Sequence, residues 1–201
     1  MARRTSDESM VFGESLLERD FVRFCNFQPE ILKIEYQPLR LKYNYKRRAR
    51  SYTPDFLLTD VEGEMTIVEV KPSHEVNNPE NVIKFEVAKI YCQEKGWRFK
   101  VVTELDLRKG CFSTNINLLL DVMRLEIAAQ DMVIVYDQLK KVAPCSIKEL
   151  RQLINEDDGI GLALFTAIVY KLLLDRYIYT DLVSQRIADQ SVLYINVEKV
   201  F

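Results

Sequence analysis

No run of eighteen consecutive apolar residues occurs in this chain, which excludes a membrane-spanning helix. C-x-x-C pairs are absent too: Cys25, Cys92, Cys111 and Cys145 are widely scattered, so neither a zinc motif nor a dithiol redox motif is supported. Scattered single cysteines in apolar surroundings predict reduced, partly buried thiols and a cytoplasmic setting. Behind the basic start at Arg3 and Arg4 no apolar segment follows, so a secretory signal is not expected. Internal repeats and low-complexity segments are missing. Histidine occurs once, and His74 reads as a solvated loop residue. Charge of one sign is lacking as well, since the formal net charge is −2 and does not announce a nucleic-acid binder.

What is present describes a globular protein, with 48% hydrophobic and 29% charged residues over 201 positions, enough for one large domain or two small ones. The distribution of charge says more than its sum. Residues 1–110 carry 19 Lys and Arg against 18 Asp and Glu, and residues 111–201 carry 9 against 12. Within the first half Lys42, Lys46, Arg47, Arg48 and Arg50 fall within nine residues, interleaved with Tyr43 and Tyr45, a patch suited to phosphate contact.

Residues 9–27 read as a helix with Leu17, Phe21 and Phe24 at helical spacing and Leu16 beside them. Strands follow at 31–36, 39–45, 51–58 and 65–71, with Lys46 to Arg50 as a polar turn, forming a mostly antiparallel meander. Asn78-Pro79-Glu80 opens a second helix to about Lys95, stopped by Gly96, with Val82, Phe85 and Ile90 on its apolar face. A strand at 97–103 then suits a crossover. The expectation is α/β over residues 1–109. From residue 110 to 201 it is a mostly α winged-helix domain: a helix at 116–130, a capping box Ser146-Ile147-Lys148-Glu149, an apolar helix at 161–174, and strands at 177–179 and 192–197.

Chemistry concentrates in Tyr52-Thr53-Pro54-Asp55-Phe56-Leu57-Leu58 and Ile67-Val68-Glu69-Val70-Lys71, joined through the turn signal Asp60-Val61-Glu62-Gly63. Strand alternation puts Ile67, Glu69 and Lys71 on one face and Val68 and Val70 on the other. Two acids and an amine that converge are the minimum for metal-assisted phosphodiester hydrolysis, with Asp55, Glu69 and the Val70 carbonyl as ligands and Lys71 serving the attacking water. Glu14 and Glu18 share a helix face, and one could complete a metal site. Ser15-Leu16-Leu17-Glu18 fits a capping box equally well. The plain alternative for Glu69 and Lys71 is a solvated Glu/Lys pair on a sheet.

Glu18 with Arg19-Asp20-Phe21, Tyr36-Gln37-Pro38-Leu39, Tyr52 to Leu57 with Pro54-Asp55, and Glu69-Val70-Lys71-Pro72 together resemble the TnsA family of transposase endonuclease subunits. The resemblance implies a restriction-endonuclease-like nuclease fold of the PD-(D/E)xK type. It places catalytic and metal-binding roles on Glu18, Asp55 and Glu69 and a catalytic role on Lys71. Mg²⁺ is the expected ion, replaceable by Mn²⁺ and with two per site. The implied partners are double-stranded DNA at transposon ends, a TnsB-like transposase that handles the 3′ ends, and a TnsC-like AAA+ regulator docked on the C-terminal domain. A catalytically idle adaptor and a stand-alone restriction or repair nuclease are the alternatives.

Overall fold

The computed structural model describes residues 15–154 and 159–199. The part of the first expected helix before Ser15, Glu14 included, lies outside them. The chain divides into two compact units, Met1–Arg108 and Lys109–Phe201.

In the first unit α1 (Leu16–Phe27) starts on Ser15, whose side chain accepts from the Glu18 amide. Its buried face is Leu17, Phe21 and Cys25, while Leu16 points to solvent. Strands β1 (Ile31–Tyr36), β2 (Leu41–Tyr45), β3 (Arg48–Tyr52), β4 (Phe56–Asp60) and β5 (Met65–Val70) follow, then α2 (Pro79–Lys95) and β6 (Arg98–Val102), and α3 (Glu104–Leu107) closes the unit. The main sheet runs β1-β4-β5-β6, and β2-β3 stands apart as a two-stranded ribbon. The meander expectation is therefore corrected. β1 pairs antiparallel with β4, and residues 37–55 leave the sheet between them as an excursion.

The polar-turn reading is corrected too. Only Lys46 and Arg47 turn, both at positive φ (48° and 60°) as a tight two-residue hairpin requires, and Arg48–Tyr52 continues as a strand. The expected strand at 51–58 is interrupted at Thr53-Pro54-Asp55, so Asp55 sits just before β4 rather than inside it.

Both faces of the main sheet are covered. Phe56, Val68 and Val70 pack against Leu17, Phe21 and Cys25 of α1. Leu57 and Ile67 pack against Cys92 of α2, with Trp97 and Phe99 beside them. Phe56 is fully buried, with its ring 5.0 Å from that of Phe21 and 5.5 Å from that of Tyr36; burying such a side chain contributes roughly 2–3 kcal/mol. Asn78 caps α2, Pro79 stands at its first position, and Gly96 ends it at φ 68°. Its buried face is Phe85, Ala88 and Cys92, whereas Val82 and Ile90, expected there, are exposed. The crossover through α2 delivers β6 parallel to β5.

The second unit contains α4 (Phe112–Asp121), α5 (Ala129–Val142), β7 (Cys145–Ser146), α6 (Ile147–Gln152), α7 (Leu162–Leu174), β8 (Ile178–Tyr179) and β9 (Val192–Ile195), with strand order β7-β9-β8. The expected helix at 116–130 is instead two helices, broken at residues 122–128. The Ser146/Glu149 capping box opening α6 forms as read from sequence.

Candidate active site

Three local features bring the acidic segments together. Asp60 accepts from the amides of Glu62 and Glu64 and closes the turn between β4 and β5. The register it sets pairs Phe56 with Val68 and Leu57 with Ile67, which carries Asp55 beside Glu69 and Val70. Asp55 is then fixed at both ends: its carbonyl accepts from the Gln37 amide at 2.9 Å, and its Oδ2 accepts from the Val70 amide at 2.9 Å.

Lys71 follows β5 and continues its alternation, with its own amide donating to the Val102 carbonyl at 3.0 Å. Its Nζ lies 3.1 Å from Asp55 Oδ2, 3.0 Å from Glu69 Oε1 and 3.3 Å from the Val70 carbonyl oxygen. Glu69 is 2% exposed on the sheet face that α2 covers. Its second oxygen, Oε2, accepts from the Tyr52 hydroxyl at 2.5 Å.

Burial pushes the Glu69 carboxyl above the ordinary glutamate range, Asp55 adds to that, and Lys71 and Tyr52 offset part of it. Burial alone would lower the Lys71 amine, but the Glu69 and Asp55 carboxylates outweigh it and hold it above the usual lysine range. Lys71 is accordingly an ammonium clamped by two acids. Burial, then the Glu69 charge, keeps the Tyr52 phenol neutral and therefore a donor.

Glu18 stands in the first turn of α1, where its amide donates to Ser15 Oγ and that hydroxyl approaches its Oε1 at 3.2 Å. The N-cap half of the capping box open in the sequence is thus formed. Among the described residues no group of three or more His, Cys, Asp or Glu side chains is arranged to hold a metal ion. What does converge on one cationic nitrogen is two carboxylate oxygens and a backbone carbonyl. That all-oxygen set fits a hard divalent cation, and Mg²⁺ commonly takes one or two protein carboxylates and keeps several waters. His74 is exposed and pairs loosely with Glu75 at 3.8 Å. The cations Lys42, Lys46, Arg47, Arg48 and Arg50 all lie on the exposed β2–β3 ribbon.

Tyr52 was not singled out as a site residue by its sequence. A signal existed: an aromatic hydroxyl on the inward face of a strand must find a polar partner.

An α/β domain here aims two carboxylates and a lysine at one point from a hairpin. Residues 28–104 match the family model described as TnsA-like endonuclease N terminal, which supports a TnsA-family endonuclease. A search among curated proteins found no match. No helix among the described residues is long and apolar enough to cross a membrane.

Proposed function

We propose that this chain is the Mg²⁺-dependent endonuclease subunit of a heteromeric cut-and-paste transposase, hydrolysing the 5′, non-transferred strands at transposon ends. The observation that carries the reading is the meeting of Asp55, Glu69, the Val70 carbonyl and Lys71 within a TnsA-like domain.

Asp55, Glu69 and the Val70 carbonyl would hold Mg²⁺ or Mn²⁺, two ions being expected per site, with Glu18 the further carboxylate. A bound ion supplies Lewis acidity and a water acidic enough to act as nucleophile near neutral pH. The chain's own residues do the positioning. The Val70 amide fixes Asp55, and Lys71, kept charged, offers N–H donors and positive charge to the water or to a phosphoryl oxygen. Lys42, Lys46, Arg47, Arg48 and Arg50 on the ribbon would grip backbone phosphates of double-stranded DNA.

In the second unit the order α5, β7, α6, α7, β8, β9, with β9 between β7 and β8, supports a winged-helix reading. Its acidic balance favours docking to protein over DNA, namely a TnsC-like AAA+ regulator. A TnsB-like transposase would process the 3′ ends. This assembly acts on DNA in the cytoplasm.

The test is 5′-strand nicking at transposon ends in a reconstituted mixture. Asp55→Ala is expected to lower it by at least about a hundredfold, the scale of a lost transition-state contact. Nicking that persists in this variant sinks the assignment.

A further inference from the structure

We propose that Tyr52 is a positioning residue for Glu69, bracing the carboxylate from the base of the basic ribbon so that Oε1 faces the site; this rests on the metal-site reading above.

A glutamate side chain has three torsions and in a loose setting samples many rotamers. Here one oxygen is taken up. The Tyr52 hydroxyl donates to Oε2 at 2.5 Å, leaving Oε1 on the side of Lys71 and Asp55. The phenol cannot easily leave, because its ring is buried against Leu41 and Ala88, with Tyr43 and Val87 packed around them. Groups that hold a ligand's second oxygen orient the first and typically change metal affinity by 10- to 100-fold when removed.

Tyr52 is also the last residue of β3. It pairs with Leu41, and the same face carries Tyr43 with Arg50 and Tyr45 with Arg48 further out. Arg50 and Lys46 both sit over the Tyr45 ring, at 5.5 and 5.3 Å. Between Tyr36 and Pro54 the sequence holds six Lys and Arg and no acid. One strand thus has its inner end on Glu69 and its outer end among cations. The ribbon reaches about 17 Å from Tyr52 to its turn at roughly 3.3 Å per residue.

The experiment is Mn²⁺ binding to the full chain without DNA, followed by titration calorimetry, for wild type, Asp55→Ala, Tyr52→Phe and Leu41→Ala. Tyr52→Phe keeps the ring and loses only the hydroxyl, and it should weaken Mn²⁺ binding by tenfold or more. Leu41→Ala loosens the packing around the phenol but keeps its hydroxyl, and it should weaken Mn²⁺ binding by less than Tyr52→Phe does. Equal affinity in Tyr52→Phe and wild type overturns the inference alone, as does an equal loss in Leu41→Ala. Wild type showing no Asp55-dependent binding overturns the metal reading and the inference with it. A measurement on wild type stands apart from how the variants fold. The Tyr52 hydroxyl proton should appear far downfield and exchange slowly in proton NMR, and move upfield in Glu69→Gln, whose neutral amide oxygen is a weaker acceptor. Its absence from wild type overturns the proposal.

Discussion

Asn115 in the second unit and Glu69 in the first are both buried polar side chains, and their partners differ in kind. Asn115 is fully enclosed. Its amide donates to the carbonyls of Leu182 and Gln185 at 2.9 and 2.8 Å, and its oxygen accepts from the Ile187 amide at 3.0 Å. All three partners are backbone, and together they strap the segment between β8 and β9 onto α4. Glu69 is satisfied by two side chains, Tyr52 and Lys71, and by no backbone group in these contacts. A neutral amide on main-chain partners fixes a fold. A charge on side-chain partners can exchange them, and that is what a working site requires.

Asn115→Ala breaks this comparison hardest. It leaves the buried Ile187 amide and two part-buried carbonyls without their partner, at a cost of about 2 kcal/mol, to be read as a lowered denaturation midpoint for the second unit. A loss below about 0.5 kcal/mol would make the strap ornamental.

The ribbon extends the comparison to the surface. Lys46→Asn with Arg47→Gly relieves two positive-φ side chains, since this pair of residues favours the tight turn, while it removes two cations. Hairpin stability should rise slightly, and duplex affinity should fall roughly tenfold per lost phosphate contact at 0.1 M salt. The slope of log affinity against log salt should drop by about 1.8, near 0.9 per contact. Unchanged affinity would assign the ribbon a role other than phosphate contact.

The smallest effect is the pH dependence of Glu69→Gln. Because burial raises the Glu69 carboxyl, the folded state keeps its proton to higher pH than the unfolded chain. The stability from this group is present below the unfolded value, near pH 4–5, and is lost as pH rises through the folded value. The variant has nothing to lose in that window. Stability of wild type relative to variant should therefore decline as pH climbs from about 4 toward neutrality, as denaturant midpoints at stepped pH will show. A flat difference would mean that Glu69 titrates as if exposed.

Much of the site was legible because its determinants are local. The alternation in Ile67 to Lys71 and the turn at Asp60–Gly63 set the register that puts Asp55 next to Val70. The cap at Asn78 and the stop at Gly96 were written in residue types. The rest depended on signals that short range does not carry. Pairing of β1 with β4 skips two strands, and no local pattern favours it over pairing with β2. The turn at Lys46-Arg47 lacks the Gly or Asn that marks positive φ. Met132, Val135, Tyr136 and Leu139 had the spacing of a helix, but α5 opens on Ala128, which offers no side-chain cap. Tyr52 gained its meaning only when the ribbon folded back over α2.

The residues on either side of Pro72 give the site a clock. Lys71 is tied through its amide to Val102, and the Ser73 amide donates to Glu104 at 2.9 Å. Proline's ring fixes the one φ between them. The backbone leaving the site is thus pinned at consecutive positions, and adjustment falls to side chains, whose rotamers change faster than loops move. The lysine can follow an arriving phosphate without waiting for the main chain to move.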